Sequence, residues 1–453
     1  MLLPMSPTSS VFLLAESREQ PMHVGSLQLF APPAGADALD VRAMFDQAIL
    51  DDEVAPIFSK RPRRNLATLG QWGWETDDHF DLEHHVRRNA LPRPGRVLEL
   101  LALCSRLHST LLDRKRPLWE MHLIEGLDDG RYAVYMKAHH ALVDGVSALR
   151  LLNRMLSADP DERAMPAPWA PRPRESDPHP RRALPPARSV LGDLAGLGPS
   201  LVRTVQRALR DQAGSLSFSA PRSMLNVPIT GARRFAAQSW PIARIRAIGD
   251  AAGATVNDVV LALCSGALRH YMLGLGELPE ESLVAMVPVS LHGEEETSGD
   301  GGGNNIGVVM CKLGTDQLDA AARLATVHAS MTEGKQALAS MSQLEILAMS
   351  ALAVSPLALW PALGITASAR PPFNLIISNV PGPRQPLYWN GARLDGLYPL
   401  SVPLDGQALN ITCTSYDTEL AFGLTGCRRT VPHLQRLLGY LEDELEALEK
   451  AVA

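Results

Sequence analysis

The sequence predicts a mixed α/β or α+β protein made of two comparable domains. The first observation is length, because 453 residues suffice for two or three domains of about 100–200 residues each. The second is the alternation of short strand-like runs with amphipathic helices in both halves of the chain. The third is composition, since 46% hydrophobic and 20% charged residues are typical of a folded globular protein.

A proline-rich stretch predicts the boundary between the domains. Nine prolines fall between Pro160 and Pro186, and neither a helix nor a central strand tolerates that density. We therefore predict an N-terminal domain at 1–159, an extended and solvated linker at 160–188, and a C-terminal domain at 189–453. Each domain is long enough to bury its own hydrophobic core.

Hydrophobic period and turn residues predict the individual elements. In the N-terminal domain, 132–138 is rich in β-formers and follows the turn 128–130, so it is a predicted strand. A helix is predicted after Gly145, where apolar residues recur every three or four positions. In the C-terminal domain the same criteria predict strands at 282–290, 374–378, 409–415 and 420–424, and helices at 189–213, 255–272, 316–338 and 431–448.

Charge, aromatic content and cysteines exclude several classes of protein. Lys and Arg number 43 against 49 Asp and Glu, and only 5% of residues are aromatic, which together argue against a nucleic-acid-binding protein. The five cysteines are odd in number and have no C-x-x-C spacing, so we expect buried, reduced thiols rather than a zinc site. The N-terminus lacks a basic segment and a cleavage site, so we predict no signal peptide and a cytoplasmic location.

One uncharged segment is long enough to cross a bilayer. It runs from 346 to 369, but Pro356 and Pro361 interrupt it, and Ala, Ser and Gly dilute its hydrophobicity. We expect two short apolar helices that pack against the protein or insert into a membrane surface. If they insert, charged substitutions in the segment would lower membrane partitioning.

The residues that suggest chemistry are His139, His140, Asp144 and Gly145. Two adjacent histidines end the predicted strand, and strand alternation points their side chains to opposite faces. One histidine would therefore reach a cavity while the other packs inward. Histidine takes and returns a proton near neutral pH, Asp144 would brace the loop or orient a ring, and Gly145 permits a close backbone approach.

Two simpler interpretations compete with a catalytic one. A metal site is disfavoured because side chains of neighbouring strand residues diverge and no second ligand cluster lies nearby in the sequence. The pair could instead be structural, since His84 and His85 form a second adjacent pair without a following Asp-Gly. We assign that second pair to structure.

At this point the chain resembles a known family. The spacing HHxxxDG is similar to the signature of the CoA-dependent acyltransferase superfamily, which includes chloramphenicol acetyltransferase and the condensation domains of nonribosomal peptide synthesis. More closely, the chain resembles the bacterial wax ester synthase/diacylglycerol acyltransferases over nearly its whole length apart from the proline-rich stretch. The other segments that carry the resemblance are MSPT at 5–8, PLWE at 117–120, LN at 225–226, RRF at 233–235, TVNDV at 255–259, SNVPGP at 378–383 and the run 406–426.

The resemblance implies two chloramphenicol-acetyltransferase-like domains, each a mixed β-sheet flanked by helices, with an active-site tunnel at their interface. It implies His140 as the catalytic base, with His139, Asp144 and Gly145 beside it, acyl-CoA as co-substrate, and neither a metal nor a permanently bound cofactor. The implied acceptors are a fatty alcohol and diacylglycerol. The implied location is cytoplasmic, peripherally associated with the inner membrane face or with lipid inclusions, and no nucleic-acid partner is expected.

Two further motifs have two interpretations each, and a third is a turn whose role would be positional. Asn257 would donate to an oxyanion or hold the acceptor, or it would cap a helix together with Asp258. The motif around Trp119 would line the acyl pocket or pack in the core, and the turn around Gly382 would place a loop at the tunnel. The supporting residues of these motifs are Pro117, Leu118, Trp119, Asn257, Asp258, Asn379, Pro381 and Gly382.

Two other functions remain alternatives. An acyltransferase of the same fold that takes its acyl group from a carrier protein would have a basic docking patch and would not respond to free acyl-CoA. A catalytically silent lipid-binding protein is disfavoured by the intact histidine motif. The glycine run at 301–303 lacks the Lys of a P-loop, and no G-x-S-x-G is present, so neither a phosphate cradle nor a serine hydrolase is predicted.

Overall fold

The computed structural model describes residues 3–64, 71–143, 145–171, 219–290, 306–341 and 370–453. The chain forms two compact units. The first unit comprises Met1–Arg172, Pro228–Arg244 and Asn379–Leu438, and the second comprises Pro173–Val227, Ile245–Ser378 and Gly439–Ala453.

Helices and strands are mixed in both units, as the sequence predicts. The helices of the described residues are α1 (Pro7–Ala15), α2 (Ala38–Ile49), α3 (Leu82–His85), α4 (Val97–His108), α5 (Gly145–Met155), α6 (Ile242–Ala252), α7 (Val256–Leu275), α8 (Ala320–Ala339) and α9 (Arg436–Val452). The strands are β1 (Leu3–Pro4), β2 (His23–Ala31), β3 (Lys60–Arg64), β4 (Trp72–Thr76), β5 (Val86–Ala90), β6 (Trp119–Glu125), β7 (Tyr132–His139), β8 (Arg233–Pro241), β9 (Val284–Ser290), β10 (Ile306–Lys312), β11 (Leu375–Val380), β12 (Tyr388–Trp389), β13 (Ala392–Leu400), β14 (Leu409–Tyr416) and β15 (Glu419–Cys427).

A six-stranded mixed sheet organises the first unit. Its order is β12-β13-β2-β7-β6-β5, and all neighbours are antiparallel except the parallel pair β5 and β6. Side chains alternate along β7, so one face of the sheet packs with α2 and α5 in a core that includes Phe45 and Trp119. The other face packs against α4 in a core that includes Leu100 and Tyr135. The central strand β7 is therefore covered on both faces and ends at His139.

The first unit also contains an antiparallel set of three strands, β14-β15-β8, next to one another in that order. In the second unit, β9 pairs antiparallel with β10 and parallel with β11. The long helices α7 and α8 pack in this unit, where Arg323 of α8 and Glu444 of α9 form a buried ion pair with 2.6 Å between Nη2 and Oε1.

The compact units do not follow the predicted order of domains along the chain. The prediction divides the chain into 1–159, a linker and 189–453, whereas 228–244 and 379–438 belong to the first unit. The physical reason is strand pairing: β13 lies antiparallel to β2, with Leu397 opposite Gln28, and so completes the N-terminal sheet.

Part of the predicted linker is packed rather than solvated. Met165, Ala167, Trp169 and Ala170 are buried, and the Trp169 indole donates a hydrogen bond to the Asp51 carbonyl at 2.8 Å. The prediction is wrong for 165–170, because apolar side chains between the prolines fill the core of the first unit, whereas 160–164 are exposed as predicted. Residues 172–188 lie outside the described part of the chain.

The predicted elements can be compared directly with the structure where it describes them. The predicted strands at 132–138, 282–290, 374–378, 409–415 and 420–424 correspond to β7, β9, β11, β14 and β15, and the helices at 255–272, 316–338 and 431–448 correspond to α7, α8 and α9. All five cysteines are buried and free, as predicted. The predicted helix at 189–213 and the segment 346–369 lie outside the described residues, so surface insertion of the latter stays a prediction.

Within the described ranges, no single helix has the length and apolarity to span a membrane. The pair α6 and α7, bent by 102° at the break between them, passes that test together by length and composition only.

Candidate active site

The turn that follows β7 holds the two histidines by backbone hydrogen bonds. The N–H of His139 donates to the Leu118 carbonyl at 2.9 Å, and the N–H of His140 donates to the Met22 carbonyl at 2.8 Å. The His139 carbonyl then accepts the Leu142 N–H at 2.8 Å, which closes the turn. Both histidines are therefore fixed by the main chain before any side-chain contact is considered.

His139 is buried on the face of β7 that also carries Tyr135 and Lys137. Its Nδ1 accepts the N–H of Ala141 at 3.0 Å, so the ring proton belongs on Nε2. That nitrogen lies 3.2 Å from Oε2 of Glu16, whose side chain is 3% exposed. The first histidine is thus held in one tautomer, and its side chain is fully buried.

Glu16, immediately after α1, is a site residue that sequence reasoning missed. Its Oε1 accepts a hydrogen bond from Nε of Arg114 at 2.8 Å, and its Oε2 accepts the Met22 N–H at 3.3 Å. Burial raises the pKa of the Glu16 carboxyl, but its contacts with His139 and Arg114 outweigh burial and hold the pKa below the ordinary value. A carboxylate therefore lies under the motif, and the sequence contains no local signal for it.

His140 leaves the strand and is only partly buried. Its ring stacks on Phe12 of α1, with ring centroids 4.1 Å apart and planes inclined by 12°. The two histidines therefore differ in environment: one is buried beside a carboxylate, and the other lies at the end of the sheet with an aromatic ring on one face. A base must come within hydrogen-bond reach of the proton that it takes, and the partly exposed His140 is the more accessible of the two histidines.

A second buried polar network lies beneath the motif. Nζ of Lys137, which is fully buried, lies 3.1 Å from Oε2 of Glu120 and donates to the carbonyls of Leu107 and Thr110. Burial raises the pKa of Glu120, but His122 and Lys137 lower it more strongly, to about 2. This network ties β6 and β7 to the end of α4 and so stiffens the strand that carries the histidines.

The remaining members of the motif are only partly described. Asp144 lies outside the described residues, so its predicted role stays a prediction. Gly145 is the first residue of α5, which agrees with the predicted helix start.

The second histidine pair is structural in its surroundings. His85 donates from Nδ1 to the Trp119 carbonyl at 2.8 Å, and its ring stacks with both Phe80 and Trp119. Burial lowers the pKa of His85 to about 4. The ring is therefore neutral near pH 7 and belongs to the core.

Pro117, Leu118 and Trp119 are all buried. The Trp119 indole donates to the Phe58 carbonyl at 2.7 Å, and its ring packs in the core of the first unit. These contacts agree with the interpretation that Trp119 packs in the core. The Leu118 carbonyl also accepts the backbone N–H of His139.

Asn257 and Asp258 occupy the first turn of α7 in the second unit. Asp258 forms a capping box with Thr255, in which each side chain accepts the backbone N–H of the other at 3.0–3.2 Å. Asp258 Oδ2 also lies 2.9 Å from Nδ1 of His328. Asp258, and not Asn257, therefore takes part in capping the helix. The Asn257 side chain is partly exposed, and its role at an oxyanion stays a prediction.

Asn379 lies near the end of β11, Pro381 and Gly382 follow that strand, and all three belong to the first unit. The Gly382 N–H donates to Oγ of Ser415 at 3.1 Å, and a Cβ at Gly382 would lie 2.0 Å from the Ser415 carbonyl oxygen. Glycine is therefore required by the close approach of this loop to the end of β14. Placement of the loop beside substrate stays a prediction.

Among the residues that the structure describes, no group of three or more His, Cys, Asp and Glu side chains is arranged to hold a metal ion.

The chain is similar to known proteins over nearly its whole length. Residues 5–260 match the family model of the wax ester synthase/diacylglycerol acyltransferase catalytic domain, and 302–449 match its C-terminal domain. A Mycobacterium tuberculosis protein named as a diacylglycerol O-acyltransferase is 52% identical over 451 residues, with 99% of each chain covered. A Mycobacterium bovis protein with the same activity in its name is 49% identical over 461 residues, covering 99% of this chain and 91% of the other.

Solved structures show the same relationship. The wax ester synthase/diacylglycerol acyltransferase from Marinobacter aquaeolei VT8 superposes with a TM-score of 0.81 at 47% identity, with 99% of both chains covered. The first condensation domain of the calcium-dependent antibiotic synthetase superposes with a TM-score of 0.59 at 19% identity, over 100% of this chain and 97% of the other, and so shares the fold. The chain belongs to the wax ester synthase/diacylglycerol acyltransferase family and is an acyltransferase.

Proposed function

We propose that this enzyme transfers a long-chain acyl group from acyl-CoA to the hydroxyl of a diacylglycerol or a fatty alcohol, with His140 as general base. The observation that carries the proposal is the contrast at the end of β7, where His139 is buried beside Glu16 while His140 is partly exposed and oriented by Phe12. Diacylglycerol is the first acceptor to test because the mycobacterial relatives carry it in their names. The name of the Marinobacter enzyme adds wax esters.

Acyl transfer from a thioester to an alcohol requires a general base on the protein, and it does not require a protein nucleophile. An alcohol attacks poorly until its proton is drawn off, whereas a thioester is already activated toward attack. His140 takes the hydroxyl proton as the acceptor oxygen attacks the thioester carbonyl. The tetrahedral intermediate then collapses, the C–S bond breaks, and the CoA thiolate leaves with the proton returned by the imidazolium. The acyl group thus passes directly to the acceptor without a covalent acyl-enzyme.

The role of His140 can be tested by thiol release from palmitoyl-CoA in the presence of a diacylglycerol or hexadecanol. Because general base catalysis contributes about 10²–10⁴-fold, His140→Ala should lower acceptor-dependent thiol release by that factor. His84→Ala is the matched control, since His84 belongs to the other adjacent pair and should retain wild-type activity. Ester product is quantified in parallel, so that hydrolysis of the thioester is not counted as transfer.

Each contrary result has a defined meaning. Full activity in His140→Ala would remove that residue as the base. If both ligands bind but neither acceptor stimulates thiol release from free acyl-CoA, donation from a carrier protein or a silent lipid-binding role becomes the better explanation.

A further inference from the structure

Helix α1 places an aromatic ring on the proposed base. Ser6 is the N-cap of the helix, its side chain accepts the N–H of Ser9 at 3.0 Å, and Pro7 occupies the first turn. The helix thus begins at the MSPT motif and carries Phe12 one and a half turns later. Phe12 is held in turn by a hydrophobic cluster that includes Leu13 and Leu118.

The contact between Phe12 and His140 is a parallel stack rather than an edge contact. The centroid distance of 4.1 Å and the inclination of 12° leave the two ring faces in direct van der Waals contact. The backbone N–H of His140 donates to the Met22 carbonyl, which fixes the main chain. The stack on Phe12 restricts rotation of the His140 side chain. Both ring nitrogens lie in the plane of the imidazole, so a stack on its face fixes that plane without using either of them.

Two residues four positions apart, Phe12 of α1 and Glu16 directly after that helix, contact the two histidines. Phe12 touches His140, and Glu16 lies 3.2 Å from Nε2 of His139. Because side chains four residues apart lie on the same side of a helix, Phe12 and Glu16 point in similar directions at the end of α1.

We propose that Phe12 is a positioning residue for His140, holding the imidazole in its reactive plane and stabilising the imidazolium that forms during acyl transfer. This inference rests on the proposed role of His140 as general base. An aromatic face attracts a cation through its quadrupole, and His140 becomes cationic only after it has taken the hydroxyl proton. The effect therefore falls on kcat rather than on substrate binding.

The test compares Phe12→Leu, which keeps apolar bulk but removes the π face, with Phe12→Tyr, which keeps the π face. Phe12→Leu should lower kcat by about 3- to 30-fold while KM for palmitoyl-CoA and for the acceptor changes less than about twofold. Phe12→Tyr should recover most of the activity. Leu14→Ala, at an exposed position of the same helix, is the control and should match the wild type.

An independent spectroscopic measurement covers the case in which Phe12→Leu is poorly folded. In the wild type the ring current of Phe12 should shift the His140 ring-proton NMR signals upfield, with the assignment made by comparison with His140→Ala. The same signals should stay upfield in Phe12→Tyr. Unshifted signals in the wild type would overturn the stack itself.

The outcomes separate this inference from the proposed function. If Phe12→Leu keeps the wild-type kcat, Phe12 is only a packing residue. The same conclusion follows if Phe12→Leu and Phe12→Tyr lose kcat equally and both have lower melting temperatures. If His140→Ala is inactive while Phe12→Leu is fully active, only the positioning role fails. If His140→Ala keeps full activity, the proposed function fails first.

Discussion

At the scale of single residues, environment assigns different tasks to two adjacent histidines. His139 and His140 have the same chemistry in water, but only His139 is fully buried against a carboxylate. Because Nδ1 of His139 accepts a backbone N–H, its one ring proton faces Glu16 and is not available to a substrate. His140, partly exposed at the end of the strand, is left as the residue that can exchange a proton.

Glu16→Gln should destabilise the protein and lower kcat. The substitution keeps the shape of the side chain but leaves Arg114 without its carboxylate partner, and hydrogen bonds to charged groups contribute about 1.5–3 kcal/mol. We expect a lower melting temperature and reduced acyl transfer. Glu19→Gln changes an exposed carboxylate three residues later and serves as the control. Identical melting curves and rates for Glu16→Gln and the wild type would show that the buried carboxylate is dispensable.

Sequence reasoning identifies the motif residues but not the residues that position them. The spacing of His139, His140, Asp144 and Gly145 is visible because the four are close together in the chain. Glu16 and Phe12 come much earlier in the chain, and the pairing of His23 in β2 with His139 in β7 helps to bring that end of the chain to the motif. A single sequence contains no record of that register.

At the scale of secondary-structure elements, one glycine permits the close approach of two helices in the second unit. A Cβ at Gly266 of α7 would lie 2.0 Å from the carboxylate of Glu444 in α9, and that carboxylate is buried and bound by Nη2 of Arg323 through both oxygens. The carboxylate cannot move aside without weakening its ion pair. The absence of a side chain at Gly266 is therefore a packing requirement.

Gly266→Ala and Gly439→Ala should change stability in opposite directions. Both glycines lie inside helices, where alanine is intrinsically better by about 1 kcal/mol. At Gly439 of α9 nothing lies within 4 Å of an added Cβ, so the variant should be more stable. At Gly266 the clash should outweigh the gain and lower the free energy of unfolding by about 1–3 kcal/mol. Thermal melting of both variants tests this, and a stabilised Gly266→Ala would contradict the described packing.

Capping residues and the spacing of apolar residues predict the helices well, but they do not predict which segments without regular structure are buried. Thr255 caps α7 and Asp319 caps α8, and the two helices correspond to those predicted from apolar spacing. The segment 160–171 was predicted as solvated because proline density excludes regular structure, yet Trp169 is completely buried. Proline excludes helix and central strand, but it does not keep an apolar side chain out of the core.

At the scale of the whole molecule, the chain returns to its first unit after forming most of the second. The predicted class, with sheets flanked by helices, is confirmed, because it depends on the local alternation of strands and helices. The assignment of segments to units depends instead on pairing between strands that are distant in the sequence, such as β13 with β2. The spacing of hydrophobic residues does not reveal such pairing.

Three buried histidines of the first unit should make the protein less stable as the pH falls from 7 to 5. Burial lowers the pKa of His85 to about 4 and that of His108 to about 3, and it also lowers the pKa of His23 well below its ordinary value. Below about pH 6.5 the unfolded chain binds protons at these residues while the folded chain does not, so stability rises with pH in this window and is lost on acidification. Each histidine contributes up to about 1.4 kcal/mol per pH unit.

Between pH 7 and pH 5, the buried carboxylates whose pKa is lowered contribute little to this effect. The pKa values of Glu16 and Glu120 are lowered, so their contributions are lost only as the pH falls below about 4.5. Burial raises the pKa of Glu444, which opposes the loss because protonation then favours the folded state. The melting temperature should fall by about 6 °C between pH 7 and pH 5, and by roughly a third less in His85→Phe. His79→Phe, at an exposed position, should show the full fall. A melting temperature that is constant across this range would contradict the lowered pKa values of all three histidines. An undiminished fall in His85→Phe would contradict the lowered pKa of His85 alone.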